Sequence, residues 1–549
     1  MMSKSRISTL LALALGLSSI SSAQDKSSWH WSFESNDVWY TDRDDYGSNN
    51  YLKLDWSRKR FQAGVQAEWH PQPLLGYDEG IKGFALPEKF IRYNAKDFNI
   101  TLGDWYDQFG SGLLFRSWED RALGMNNSVG GVRMEYSKDR LGIKLVWGLP
   151  RHLRGYSDTR ILGADITLPH ISLFGGDLGL EFSFLERFEK ELPYYLNDDW
   201  IKVSVPKNNA SWSLGANYAI GGFYIKGEYC GKQKDWHDFS VSGVENLHQG
   251  DALSLETGLA VGSISAVATF RHLQNMTNKV FRTNETYISN TLNYIPALSL
   301  QHTYMLCSLE PYYPNSDGED AWQADLLYKA SKKDRLHFNY SEAHSLKKYH
   351  ELGKRALLFR DISVKYERKW NRRLKSVLFL NIQERSPSHG VHRMTEVRNT
   401  AVADVAYRFT DSFSMRVELQ YLYSAESEKD WCAALVEANL TSGWSVFAKD
   451  MYNHGSSKVH YYQAGAGYSR GRYRVSASFG RNRKGVFINI LPCDPRYASG
   501  NELLPRLKWL FSKRMTKEFF YFPSILSLYQ LSCRDLNFTC NQENVETEG

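Results

Sequence analysis

The chain has 549 residues, 67 Lys+Arg against 61 Asp+Glu, a formal net charge of +6 and a mean hydropathy of −0.47. Length and hydropathy alone describe a soluble protein of several domains, but 33 Tyr, 28 Phe and 16 Trp against 15 Pro demand surfaces with one apolar and one wet side and exclude a disordered chain. The small basic excess reads as spread along the chain, which excludes a nucleic-acid footprint, and no run of about 18 apolar residues offers a membrane-spanning helix.

Residues 1–23 read as a secretory signal: Lys4 and Arg6 supply the positive start, Leu10 to Leu17 the apolar core, and Ser21 and Ala23 the small side chains before the cut. No Cys follows the apolar core, so a lipid anchor is not expected. Cys230, Cys307 and Cys432 fall in strand-like segments as isolated packing thiols. No Cys/His spacing suits a metal, and no cofactor motif occurs.

From Trp29 to Tyr40 onward the dominant period is two. Phe413, Met415, Val417, Leu419, Tyr421 and Tyr423 point one way; Ser414, Arg416, Glu418 and Gln420 point the other. Ile362, Val364 and Tyr366 alternate with Asp361, Ser363, Lys365 and Glu367 in the same manner, and Tyr473, Val475, Ala477 and Phe479 with Arg474, Ser476 and Ser478. A soluble sandwich shares this alternation. The connections favour a membrane barrel: short turns near Lys333-Asp334, Asn371-Arg372, Thr410-Asp411, Ser442-Gly443 and Arg470-Gly471 alternate with long polar loops at about 232–249, 272–285, 308–319, 343–356, 384–398 and 424–430. Rings at segment ends, such as Trp370, Phe409, Trp431 and Trp444, fit interfacial girdles. The expected fold is all-β: a transmembrane antiparallel up-and-down barrel over residues 24–485, with any even number of strands from roughly 16 to 26. The strand parity clashes once, around 198–222. A barrel this wide holds either water or a folded-in loop.

The tail, 486–549, departs from the pattern. The basic run Lys508, Lys513, Arg514 and Lys517 is followed by Phe519-Phe520-Tyr521-Phe522-Pro523, and the chain ends polar rather than on an aromatic closing strand. Two readings stand: a periplasmic or interaction tail, and translation out of frame near residue 490, since codons for Glu502 to Trp509 read one nucleotide later can spell an alternating strand.

The densest chemistry lies in 102–136. Asp104, Trp105, Tyr106 and Asp107 end one strand, Arg116, Trp118, Glu119, Asp120 and Arg121 follow, and Asn126-Asn127-Ser128-Val129-Gly130-Gly131 leads into the next. Charges of both signs on a loop inside a lumen set a transverse field and a minimum width. Arg116 and Arg121 suit anionic or hydroxyl-bearing solutes, and Trp105, Tyr106 and Trp118 suit stacking on sugar faces. Equally, Arg116, Glu119, Asp120 and Arg121 pair among themselves and pin the loop. The stretch Gly-Asp-Trp-Tyr-Asp-Gln-Phe-Gly-Ser-Gly-Leu-Leu-Phe-Arg-Ser-Trp-Glu-Asp-Arg-Ala-Leu-Gly and the Asn-Asn-Ser-Val-Gly-Gly turn resemble a large family of uncharacterised outer-membrane barrel proteins of the Bacteroidota, and more loosely the constriction-loop region of porin-like exporters. The resemblance is specific over about 95–150, diffuse over the rest of 25–485 and absent after about 486. It implies location and fold, not a substrate.

Weaker motifs carry less. His454-Gly455-Ser456 has the His-x-Ser spacing of outer-membrane phospholipases, but Ser457 and Lys458 follow. Asp42 to Gly47 mimics half a calcium loop, with Lys53 where a Glu belongs. Asn315, Asp317, Glu319 and Asp320 collect oxygen ligands in a turn. The expected function is non-enzymatic: a porin-like channel or transporter narrowed by a constriction loop around 106–128, bedded in outer-membrane lipid, handling small polar solutes or oligosaccharides. The alternative is a surface assembly, attachment or secretion partner acting through the long loops. The out-of-frame reading has a direct check: the nucleotide sequence across codons 485–512 restores a terminal alternating strand, whereas an intact frame in a functional protein eliminates it.

Overall fold

Strand Phe413–Tyr423 shows how the sequence builds the wall. Leu419, Tyr421 and Tyr423 are exposed, while Glu418 and Gln420 between them are buried; successive side chains leave a strand on opposite faces. Strand Arg355–Lys369 repeats this, with Asp361 and Ser363 buried and Val364 exposed. The apolar face therefore looks outward and the polar face inward, the reverse of a soluble core.

A computed structural model describes residues 27–189, 194–196, 202–236, 247–281, 289–315, 318–348, 354–388, 395–425, 428–440, 443–483, 502–503 and 506–512. The signal segment, Asp317, Ser442 and Cys493, Cys533 and Cys540 lie outside them. Among the described residues there is no α-helix. One sheet holds 26 strands; two of these, Gly155–Tyr156 and Glu502–Leu503, are two-residue pairings onto a single neighbour, which leaves 24 staves. Every stave pairs antiparallel with the next, and Arg506–Ser512 lies between Tyr473–Asn482 and Ser27–Tyr40 and closes the cylinder. At about 4.8 Å between strands and about 40° of tilt, such a wall has a perimeter of about 150 Å.

Short turns lie at one end, between Asp45–Arg58 and Phe61–Gln72, Arg160–Leu173 and Gly176–Phe188, Phe413–Tyr423 and the preceding Glu396–Thr410, and so on round the ring. Longer connections lie at the other. The parity clash resolves here: Tyr194–Leu196 and Lys202–Ser204 pair as a separate two-stranded sheet that does not join the wall, and Asn208–Ile220 is the stave. A larger difference concerns 275–318, between Ile264–Gln274 and Glu319–Tyr328. The expectation placed Cys307 on a strand and polar loops at 272–285 and 308–319. Instead the described part of this stretch forms no stave, and Cys307 sits buried in the 3-10 turn Leu306–Ser308.

Gly103 governs the entry to the other long insertion, 106–128. It pairs with Phe90 on one side and Gly131 on the other, at φ +103°. A Cβ there would lie 2.1 Å from the Lys89 carbonyl oxygen, and the positive φ penalises any L side chain. Gly103→Ala is expected to cost about 1–3 kcal/mol, read as a smaller heat-resistant folded fraction on gels. Gly175→Ala, a turn glycine at φ +80° with open space around it, serves as the milder comparison. Equal folded fractions for Gly103→Ala and the parent chain would refute this.

Candidate functional site

Both long insertions fold inward and run along the wall. The first leaves strand Phe98–Trp105 and passes successive staves. Asp107 meets Arg133 at 2.5 Å and Lys144 at 3.1 Å. The Phe109 ring fills space that Gly163 leaves, and the Gly110 and Ser111 amides donate to Glu181 and Glu228 at 2.6 and 2.9 Å. The chain then doubles back. Arg121 donates to Glu34, Glu119 and Gln66 at 2.8, 3.1 and 3.0 Å and lies over the Tyr51 ring.

The second insertion makes two excursions. Residues 275–281 and 289–296 lie over earlier staves: Lys232 donates to the Thr277 carbonyl, Arg187 to that of Lys279, Thr159 to that of Val280 and Arg271 to that of Pro296. Residues 297–315 run forward: the Leu306 amide donates to Gln420, Gln383 donates to the Cys307 carbonyl and Arg483 to that of Leu309. The two insertions join through backbone bonds from Arg116 to Leu292 (2.8 Å) and from Tyr294 to Gly112 (2.9 Å). Together they form an inner belt reaching from Ser27–Tyr40 to Trp444–Asn453.

The belt covers wall positions that are apolar on the inside. Trp105, Phe109, Leu114 and Phe115 pack with Val129, Val146, Ile161, Leu185, Val280 and Leu292. Met305, Leu306 and Leu309 pack on Leu422, Trp431, Leu435 and Phe447. Burying a large aliphatic or aromatic side chain contributes about 1.5–3 kcal/mol, so these clusters hold the belt where polar wall residues only position it. In the buried pair Arg187–Asp235 one guanidinium nitrogen donates to both carboxylate oxygens. Deleting one partner would strand a charge at about 3–5 kcal/mol.

The profile of a family of unknown function, DUF6029, matches residues 2–488. The chain belongs to that family. No curated protein matches the chain. Among solved structures, the P pilus usher (PapC) translocation pore is similar at 10% identity and a TM-score of 0.44, over 89% of this chain and all (100%) of that one. The siderophore receptor PirA from Pseudomonas aeruginosa is similar at 7% identity and 0.42, over 90% and 82%. A triple mutant of the Rhodopseudomonas blastica porin is similar at 13% and 0.28, over 61% and 99%.

The residues singled out from sequence part company in the DUF6029 barrel. Asp104 is on the outer wall, accepting from Tyr156 (2.6 Å) and Lys89 (3.2 Å). Trp105 is buried in the first apolar cluster. Tyr106 donates to Asn126, and burial raises its phenol well above the usual range. Asp107 and Glu119 are held by the basic groups above, and Asp120 caps the amides of Ala122 and Leu123. The guanidinium of Arg121 is held more firmly charged than usual: burial works against the charge, but Glu119 and Glu34 outweigh it. Arg116 differs from all of these. Its guanidinium lies 4.9 Å from the Trp118 ring centre and 4.3 Å from that of Tyr294, and among the described residues no carboxylate pairs with it. These three side chains, half-buried at the joint of the belt, come together; Tyr294 was missed because nothing in its neighbourhood signals a strand or a motif.

A small polar cavity of about 30 Å³ lies beside Arg121, lined among others by Glu68, His70, Asn126 and Arg151; its size and two buried unpartnered atoms, His70 Nδ1 and Asn126 Nδ2, suit one water. His454 and Ser456 do not form a catalytic pair: the Ser456 hydroxyl lies 3.1 Å from both the Glu428 carbonyl and Asn453, while His454 lies by Tyr421 and Tyr452. Asp42 to Asp44 lie in a tight solvated turn, and Asp45 opens the following strand. Glu319 is engaged by Arg271, Tyr312 and the Asn315 amide, and Asp320 by His272 and Arg355.

The far end of the belt is clamped at Glu310, which meets Arg385, Arg398 and Arg483; Glu396 bridges the first two and Glu428 binds the third. Burial would raise the Glu310 carboxyl, but Arg398, Arg385 and Arg483 outweigh it and hold it below the usual range. Because the folded value is lowered, the clamp's contribution is complete above the ordinary Glu value of about 4.3 and fades as pH falls through the lowered one. Glu310→Gln is therefore expected to weaken heat resistance at pH 7 and to flatten its dependence below pH 4, measured by gel shift against temperature. An unchanged acid profile in Glu310→Gln would remove Glu310 from the clamp.

Proposed function

We propose that this is an outer-membrane β-barrel of a Gram-negative bacterium, exported through the signal at 1–23, acting as a porin-like channel for small anionic or polar solutes. The Bacteroidota resemblance over 95–150 makes such a source part of this reading. The carrying observation is the inversion of the wall: large apolar side chains such as Leu380, Leu419 and Phe479 are exposed outside while Glu418, Asp361 and Asn381 are buried inside, the arrangement of strands between lipid and a polar bore. The perimeter supports an aqueous path, because the belt follows the wall instead of crossing it. At the belt's joint, Arg116 between Trp118 and Tyr294 presents a charge without an acid partner, suited to a solute carboxylate or phosphate with a flat face.

The test is conductance in planar bilayers. The refolded protein is expected to form channels that prefer anions, and Arg116→Gln to shift the reversal potential in a salt gradient toward cations without loss of channel formation. Galacturonate is expected to block the parent channel more than galactose does, and the difference to shrink in the variant. Absence of channels from folded protein would sink the channel reading, and would return attention to a barrel that serves as an assembly or attachment partner through its loops.

A further inference from the structure

The turns at the short end carry the chain's positive charge. Between the staves, the eleven short connections hold ten Lys or Arg and three Asp, a balance of +7, against +6 for the whole chain. The excess is therefore not spread along the sequence, as its composition implied; folding gathers it on one rim. The acids are Asp97, Asp139 and Asp411. The densest sector lies on adjacent turns: Lys329, Lys332 and Lys333 follow Glu319–Tyr328, and Arg372 and Arg373 follow Arg355–Lys369. All five are exposed. A backbone bond from Lys369 to Lys333 holds the first turn against the end of Arg355–Lys369, and one from Arg408 to Arg373 holds the second against Glu396–Thr410. Asp334, the nearest carboxylate, is occupied by Ser331, Tyr366 and Arg368. Round the ring the charge is interrupted by the acidic turn Asp411-Ser412 and an uncharged turn at 440–443, and resumes at Arg472, Lys59 and Arg60. Lys96 and Arg140 each share a turn with an acid, Asp97 and Asp139, and the turns Phe174-Gly175, Gly221-Gly222 and Gly262-Ser263 carry no charge.

We infer that this rim docks on the headgroups of anionic phospholipids in the leaflet that the turns reach. The inference rests on the membrane reading above. An acidic protein would satisfy the same charge, but the position of the charge favours lipid. Exposed rings reach the turns: Phe61, Trp370, Phe409 and Trp444 lie at or beside them, and the Arg368 guanidinium lies 4.4 Å from the Trp370 ring centre. Rings of this kind settle at the headgroup level, so Arg60, next to Phe61, and Arg372, two residues beyond Trp370, sit among phosphates. Each such cation adds attraction to an anionic surface, and the attraction is screened by salt.

The experiment compares the full chain with a variant carrying Lys329→Gln, Lys332→Gln, Lys333→Gln, Arg372→Gln and Arg373→Gln, each in vesicles of phosphatidylcholine with and without phosphatidylglycerol. A second variant, Arg372→Lys with Arg373→Lys, keeps the charge. Thermal unfolding is read by gel mobility, and retained lipid by native mass spectrometry. The parent chain and the charge-keeping variant are expected to unfold at higher temperature with phosphatidylglycerol, to lose that gain in high salt, and to retain this lipid on the order of tenfold more than the five-fold Gln variant does. Insertion into both vesicle types with equal stability and equal retention overturns the inference alone. Failure to enter either vesicle overturns the membrane reading and the inference with it. Preference for poly-glutamate in solution, with no lipid preference, reassigns the rim to an acidic chain and overturns it too.

Discussion

Irregular backbone inside a cylinder has to find hydrogen-bond partners, and most of this structure follows from how it does so. A strand hands its amides and carbonyls to its neighbours. The belt segments have no such neighbours on most of their length, and an unpaired buried backbone group costs about 1–3 kcal/mol. The wall supplies the partners from its polar face: Lys232, Arg187, Arg271, Gln420, Gln383 and Arg483 each reach a belt carbonyl or amide. Long side chains suit this task because the wall is regular and the belt is not, so the reach has to vary from stave to stave. Inward Arg and Lys residues are thus first a scaffold, and only those left without such a task are available for solutes.

That division explains what was legible in the sequence. Alternation in 413–423 or 361–367 follows directly from a two-sided wall, and the turns follow from Gly, Asp and Lys at positions that need tight reversal. The belt was not legible, because its residues obey no period. Its signal lay instead in the wall. Val377-Leu378-Phe379-Leu380 and Leu357-Leu358-Phe359 break the alternation by placing apolar residues on both faces. Of the inward members, Phe379, Leu358 and Phe359 are covered by the second insertion through Leu298, Leu300, Tyr304 and Tyr312. An apolar residue facing a bore implies a cover, but the wall sequence does not say which segment supplies it.

The candidate site shows the same limit more sharply. Nine residues were grouped by proximity in sequence. The fold distributes them over an outer face, an apolar cluster and several ion pairs, because a doubled-back chain changes its neighbours every two or three residues. The reading in which charges pin the loop holds for Glu119 and Arg121, which pair with each other. Arg116 and Asp120 do not join them. Tyr294, far away in the chain, completes the ring pair around Arg116, a contact that no local pattern encodes.

The belt's joint is where anchoring changes character. Toward either end the two segments are held by buried apolar clusters and multiple charged side chains, Arg187 and Asp235 near one excursion and the Glu310 arginines near the other. At the joint itself the segments exchange two reciprocal backbone bonds, reinforced by Asn127 and Asn293 side chains. Backbone bonds of this kind fix spacing closely at a small net gain, about 0.5–1.5 kcal/mol each, whereas the flanking clusters fix the segments to the wall. The joint sets the position of Arg116 relative to Trp118 and Tyr294, while Leu114, Phe115 and Leu292 beside it join the apolar cluster that fixes the belt to the wall. A guanidinium with no acid partner among the described residues is tolerated there because it is only half-buried and the Trp118 and Tyr294 rings stabilise it from the sides.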